Sequence, residues 1–221
     1  MKLAIYDFDG TYMNIQVLPE ILRFWKQKNL NKKLLKKTNR IIIRRYIFHK
    51  FGLFGWNKHT FRANAMSLTA DLFRSIEKKE LDQFLNELYI HLQKYINKDM
   101  KLQLAKDNAD GYYTILLSGN FNVILNPFIK EGFREVIGSD VVKDNKIIKS
   151  DEVQIIIHDL KQQIIKDKFE DANFKSCKAY ADSYYDLPIL ELVGNPVVVN
   201  PDKKLTEIAK KRGYRFFNKK C

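Results

Sequence analysis

A short apolar run over 2–6, Lys-Leu-Ala-Ile-Tyr, reads as a buried strand, and the next such run is Tyr113-Thr-Ile-Leu-Leu117. Between them, from about residue 19 to 107, Gly and Pro almost vanish and apolar residues recur at helical spacing. The stripe Leu81, Phe84, Leu85, Leu88, Tyr89, Leu92, Tyr95 keeps to three- and four-residue steps, and Ile21, Leu22, Phe24 and Trp25 form an earlier cluster. Only the aromatic stretch 51–56 reads as a loop within this block. A chain built this way must either end its sheet after one strand or carry a large helical insertion between its first two strands.

The C-terminal half of the chain decides for the insertion. Asp110-Gly111 introduces the strand at 113–117, and a helical stretch comes next, near 121–130. Val141-Val142 and Ile147-Ile148 flank Lys143-Asp144-Asn145-Lys146 as a small hairpin. A helix is expected over about 153–169, then short strands at 177–181, 196–199 and 214–217, with a helix over 205–212 between the last two. Short apolar strands separated by helices predict an α/β fold with a mainly parallel, Rossmann-like sheet flanked by helices. The expected division is a core made of 1–13 and 106–221, with an inserted α-helical cap over 14–105. Ligands of such sheets bind beyond the carboxyl ends of the strands, which says where to look for chemistry.

The first strand runs into Asp7-Phe8-Asp9-Gly10-Thr11. Residues two apart in extended backbone point the same way, so Asp7 and Asp9 face one pocket unless the chain turns. Two close carboxylates need a cation or a proton. A calcium loop of the EF-hand type counted from Asp7 would need Gly and Glu where Tyr12 and Leu18 stand, so that reading fails. The second strand ends in Leu117-Ser118-Gly119-Asn120, a hydroxyl and free amides at a helix start. That is either an anion site or a plain N-cap. A later strand ends in Ala181-Asp182-Ser183-Tyr184-Tyr185-Asp186, a second acidic pair able to complete a Mg²⁺ site or to cap the next turn. Acids, a hydroxyl and anion-binding amides at three strand ends suit phosphoryl transfer, where positioning and charge neutralisation dominate. No Gly-x-x-x-x-Gly-Lys-Ser/Thr loop and no Gly-x-Ser-x-Gly elbow occur, which excludes a P-loop nucleotide enzyme and argues against an α/β-hydrolase.

These residues resemble the haloacid dehalogenase (HAD) superfamily of phosphohydrolases. Asp7-Phe-Asp-Gly-Thr11 matches its first motif, Leu116-Leu-Ser-Gly119 the second and Asp182-Ser-x-x-Asp186 the fourth. The run from Asp186 to Asp202 is similar to the phosphoserine-phosphatase-like branch, subfamily IB, which carries a helical cap between motifs one and two. The resemblance implies a Mg²⁺-dependent phosphomonoester hydrolase working through an aspartyl-phosphate. It implies Asp7 as nucleophile and Asp9 as general acid and base. Mg²⁺ would be held by Asp7, the backbone carbonyl of Asp9 and Asp182, with Asp186 in support. Ser118 and the Gly119 amide would bind phosphoryl oxygens, with Gly10, Thr11, Asn120 and Gln16 also expected around substrate and phosphate. Lys161 is expected to neutralise the phosphoryl group, with Lys149, Lys166 and Lys168 as rivals. Tyr12 stands in place of the family's usual Leu and Ala181 in place of a common Gly, and neither change removes a chemical group.

Charge bears on the substrate. The chain has a net charge of +13. Residues 21–79 hold 16 Lys/Arg against Asp71 and Glu77 alone, which leaves 23 basic and 24 acidic residues elsewhere. All of the excess positive charge therefore sits in the expected cap, a pattern that suits an anionic partner. Phosphoserine phosphatases place a Glu nine residues after the nucleophile, where it holds the substrate ammonium. Gln16 stands there in this chain, and Glu20, one helical turn on, could compensate. Arg40, Arg44, Arg45, His49 and Lys50 lie among 41–43, Tyr46-Ile-Phe48 and the aromatic 51–56 run, which suits peripheral contact with an anionic membrane. The preferred expectation is a phospholipid phosphate such as phosphatidylglycerophosphate. The alternatives are phosphoserine or another small soluble phosphomonoester and, in a different class, a nucleic-acid- or membrane-binding module using the basic cap, a nucleic acid stacking its bases on Tyr46 or Trp56. His49, His59, His91 and His158 are scattered and read as structural or surface residues. No signal-peptide pattern and no long apolar run occurs, and the two cysteines, Cys177 and Cys221, build no disulfide framework. A cytoplasmic protein, peripheral at the inner membrane face, is the expectation.

Overall fold

Strand β1 (Leu3–Asp7) is buried along its whole length, which an apolar five-residue run achieves only with a strand on each side. A computed structural model, describing residues 1–52 and 58–217, supplies those neighbours: β2 (Tyr113–Phe121) and β6 (Lys178–Ala181), both parallel to β1. The six-stranded sheet runs β3-β2-β1-β6-β7-β8, with β3 at Glu135–Ser139, β7 at Asn195–Val198 and β8 at Arg215–Phe216, and every pairing in it is parallel. A separate hairpin pairs β4 (Val142–Lys143) with β5 (Lys146–Ile147). Its turn residues Asp144 and Asn145 both take positive φ, 50° and 58°, the left-handed pair that matches the twist of a two-residue hairpin.

Among the described residues five α-helices separate β1 from β2: α1 (Val17–Gln27), α2 (Lys32–Lys50), α3 (Lys58–Arg74), α4 (Lys78–Leu92) and α5 (Lys98–Ala109). The way in and the way out lie side by side. Asn14 N–H donates to the Tyr95 carbonyl at 2.8 Å, and Asn97 N–H donates to the Tyr12 carbonyl at 2.8 Å. Helix α5 runs through residue 105, where the expected division falls, and returns to the sheet. Its Asp107 is fully buried and accepts from the Tyr6 and Tyr180 hydroxyls at 2.6 and 2.8 Å and from Lys178 at 2.7 Å. One apolar cluster runs without a break from the sheet into the inserted helices, through Tyr6, Phe8, Trp25, Phe73, Phe84 and Phe128. The opposite sheet face has its own cluster, including Ile5, Ile115, Ile165 and Leu190, under α7 (Asp159–Lys168), α8 (Leu187–Leu192) and α9 (Lys203–Arg212).

Three local expectations change. Residues 113–121 form one strand, so the expected helix begins only with the four-residue α6 (Asn122–Leu125) and continues as a 3-10 turn. The helix expected from 153 starts at Asp159, because the preceding backbone is engaged elsewhere: Ile156 N–H donates to Ser139 Oγ at 2.9 Å, and His158 turns the chain with φ 49°. Strand β3 escapes notice in the sequence because Glu-Val-Ile-Gly-Ser mixes polar ends and a glycine into five residues. Of the expected aromatic loop, Phe51 caps α2 and 53–56 lie outside the described residues.

Candidate active site at the carboxyl ends of the strands

Register brings the acidic motifs together. Asp7 pairs with Leu117 of β2, and Tyr6 pairs with Tyr180 of β6, so Ser118 and Asp182 each fall just beyond the neighbours of Asp7. Asp7, Asp182 and Asp186 bring carboxylate oxygens within 4.8 Å of one another. Lys161, in the first turn of α7, reaches into the cluster and donates to Asp7 Oδ1 at 2.8 Å and to Asp186 Oδ1 at 2.6 Å. Its side chain is only 8% exposed, so this is a buried ion cluster. The three rival lysines point elsewhere: Lys149 is exposed, Lys166 donates to Gln162, and Lys168 pairs with Glu135.

The chain does turn after Asp7, and this separates the two acids of the first motif. Tyr12 N–H donates to the Asp7 carbonyl at 3.2 Å, and Phe8 is buried against Phe128 on the apolar side. Asp9 Oδ1 accepts from Val17 N–H at 2.7 Å and Oδ2 from Asn120 Nδ2 at 2.8 Å, so its carboxylate lies outside the three-acid cluster. Gly10 makes this turn possible. Its φ is +76°, and a Cβ there would sit 2.2 Å from Asp182 Oδ2 and 3.2 Å from Gln16 Nε2. Gln16 is thus an exposed amide beside Gly10 at the rim. Thr11 is fully buried with an unpartnered hydroxyl. Ser118 Oγ accepts from Asn120 N–H at 3.1 Å, and a Cβ on Gly119 would lie 2.9 Å from the Ile156 carbonyl, so the 155–157 segment presses on the amide turn. Asn120 Oδ1 is buried without a partner.

Burial sets the electrostatics. It raises the Asp7 carboxyl to about 7, with Asp186 adding to the rise and Lys161 opposing it. It raises Asp182 to about 8, with Asp7 and Asp186 adding and Arg62 opposing. Asp9 is raised by burial too, against Arg62, the Val17 amide and Asn120. For Lys161 burial acts downward, but the carboxylates of Asp186 and Asp7 prevail and hold it protonated. Three clustered acids against one lysine leave unneutralised negative charge among oxygen donors. That donor set fits a hard divalent cation.

Two findings bear on the inserted helices. Glu20 is buried and fully engaged: it accepts from Arg23, from His91 at 2.6 Å and from Tyr95 at 3.1 Å. It is therefore unavailable to stand in for Gln16, and His91 is drawn into its cluster at 2.6 Å. Arg62, near the start of α3, is half-buried and its charge acts on both Asp9 and Asp182. Sequence reasoning misses it because Arg62 is one cation among 16 in its block, with no local pattern to single it out.

The haloacid dehalogenase-like hydrolase family model matches residues 4–191. A phosphoserine phosphatase of Mycobacterium tuberculosis is 51% identical over 45 residues, which cover 20% of this chain and 15% of that protein. The chain thus aligns with less than a fifth of the length of such curated relatives. A Bordetella pertussis protein of unknown function superposes with a TM-score of 0.79 at 18% identity, covering 98% of both chains. A substrate-bound phosphoserine phosphatase gives 0.64 at 18% identity over 99% of this chain and 93% of its own. At those identities the structural likeness speaks for the fold, while the match of the family model spans most of the sequence. This chain belongs to the haloacid dehalogenase-like hydrolases.

Proposed function

We propose that the chain is a Mg²⁺-dependent phosphomonoester hydrolase acting through an aspartyl-phosphate on Asp7. The observation that carries this reading is the buried Lys161 bridge to Asp7 and Asp186, beside an Asp9 held apart from it. Asp7 attacks phosphorus, and the bond to the leaving oxygen breaks as Asp9 delivers its proton to that oxygen. In the second step a water attacks the phosphorus of the aspartyl-phosphate. Asp9 takes the water's proton, and the acyl-phosphate bond breaks to return the Asp7 carboxylate and release phosphate. Val17 N–H and Asn120 fix the Asp9 carboxyl for both transfers. Lys161 holds Asp7 in place and offers positive charge to the transferring phosphoryl group, with Ser118, the Gly119 amide and Asn120 as further donors. Asp7, Asp182, Asp186 and the Asp9 carbonyl would hold the Mg²⁺, which when bound neutralises phosphoryl oxygens. The charge of Arg62, on the inserted helices, acts on Asp9 and Asp182, and we assign these helices to substrate selection.

For the substrate we propose an anionic phosphomonoester without an ammonium group, of the phospholipid-phosphate kind. Gln16 at the rim is neutral and Glu20 is committed to His91, so no free carboxylate among the described residues of α1 serves an ammonium. A soluble phosphomonoester is the second reading, favoured by the phosphoserine phosphatases among the relatives. Among the described residues no helix is long and apolar enough to cross a membrane. The test is phosphate release from phosphatidylglycerophosphate, lysophosphatidate, phosphoserine, sugar phosphates and a nucleotide, with and without chelator. Release abolished by Asp7→Asn and by chelation is expected. A kcat/KM favouring phosphoserine would refute the lipid reading, and release untouched by Asp7→Asn would refute the mechanism.

A further inference from the structure

Helix α2 presents an outer face that no other element among the described residues covers. Leu35 and Thr38 are its buried residues. Away from them Ile43 and Ile47, at 60% and 44% exposure, lie one turn apart on the outer face, and Phe51 at 68% follows, while Tyr46 between them turns its ring to Phe61 of α3. Lys32, Lys33, Lys36, Lys37 and Arg40 are exposed along the N-terminal half, and Arg44 and Lys50 flank the apolar end. The helix contains no acid, and none of these seven cations has a carboxylate partner among the described residues. A helix that needed only solubility would not expose isoleucine and phenylalanine, and one that needed only packing would not carry unopposed charge. The combination is that of a helix lying in a bilayer interface.

We propose that the exposed face of α2 docks on an anionic lipid bilayer, with Ile43, Ile47 and Phe51 entering the headgroup–acyl boundary and the flanking lysines and arginines meeting lipid phosphates. The lipid surface is favoured over RNA by the aliphatic residues. An acyl boundary takes Ile43 and Ile47 out of water, whereas a nucleic acid gives isoleucine no apolar medium. The docking end also packs against α3. The Tyr46 ring lies 5.7 Å from that of Phe61, and the next residue, Arg62, is the cation that acts on Asp9 and Asp182. The proposal deepens the lipid-phosphate reading above and rests on it only for its purpose, since docking itself needs no Asp7.

The test is flotation of the full chain with pure phosphatidylcholine vesicles and with vesicles containing about one-third phosphatidylglycerol. Binding to the anionic vesicles alone, weakening with salt and retained by Asp7→Asn, is expected. Each cation near such a surface contributes about a fivefold gain, so Lys36→Gln with Arg40→Gln weakens binding about 30-fold. Ile43→Ser with Ile47→Ser weakens it roughly 100-fold, while hydrolysis of a soluble aryl phosphate is unchanged and reports an intact fold. Equal binding to both vesicles, binding to neither, or binding indifferent to the isoleucine pair would overturn the proposal. Capture of polyuridylate indifferent to that pair would give the face to nucleic acid instead. Should wild-type protein bind vesicles yet hydrolyse no phosphate ester, the docking stands and the phosphatase reading fails.

Discussion

Lys161→Met tests the site's electrostatic construction most directly. The ammonium touches Asp7 at 2.8 Å and Asp186 at 2.6 Å, and all three side chains are 10% exposed or less. Removing one partner of a buried ion pair costs about 3–5 kcal/mol, because the other charge stays desolvated. For a chain of this length each kcal/mol lowers Tm by about 2–4 °C, so a drop on the order of 10 °C is expected in metal-free protein. The sign with pH follows from the carboxyls. Burial and neighbouring acids raise Asp7 to about 7 and Asp182 to about 8, above their unfolded values. A carboxyl raised on folding is bound to a proton below its folded pKa and becomes an unfavourable charge above it, so stability falls as pH rises through that range. The cost of losing Lys161 is therefore full at pH 9 and smaller at pH 5, where a proton on Asp7 takes the place of the ammonium. Thermal melts in chelator at both pH values measure this, and the same substitution in an Asp7→Asn background costs at least about 1 kcal/mol less if the pair is coupled. An equal Tm drop at both pH values, or no drop at pH 9, would refute the reasoning.

Arg62→Gln removes a cation of the inserted helices whose charge acts on Asp9 and Asp182. It is expected to lower kcat/KM about 10- to 100-fold, mainly through KM, without changing Tm by more than a degree or two, as steady-state kinetics and a melt would report. Gly10→Ala places a methyl 2.2 Å from Asp182 Oδ2 at φ +76°. It should cost about 1–2 kcal/mol in left-handed strain and, by displacing Asp182, weaken the proposed Mg²⁺ binding as calorimetry would measure it. Glu20 is desolvated, yet the hydrogen bonds from His91 and Tyr95 with the Arg23 charge hold its carboxyl below the usual range. Its contribution is present above the unfolded pKa and lost as pH falls through the folded one. Glu20→Gln should therefore narrow the Tm difference between pH 7 and pH 3, and an unchanged difference would count against the Glu20 cluster.

The acidic motifs are legible because their geometry is local. A strand that ends in Asp7-Phe-Asp-Gly, or in Ala181-Asp182, carries its carboxylates to the strand end whatever lies around it. The same holds for the hairpin, where Asp144-Asn145 between two apolar pairs specifies its own turn. Lys161 is nameable from its distance to Asp182, but four lysines meet that description and only the fold distinguishes them. Residues 153–158 mimic a helix start in the sequence, yet their backbone is tied to the end of β3, where Ile156 N–H donates to Ser139 Oγ.

The sequence by itself determined the class of fold, the three strand-end motifs and the concentration of positive charge in the inserted helices. Each rests on residue spacing or on composition within one segment. The tertiary structure alone decided that Lys161 bridges Asp7 across 154 residues, that Glu20 is consumed by His91 71 residues away, and that the charge of Arg62 acts on the acids. It also decided that the aliphatic stripe of α2 faces outward instead of into the helical core. The reason is that periodicity records which side of an element is apolar, whereas the partner that covers it, or fails to, is set by packing between segments that share no local pattern.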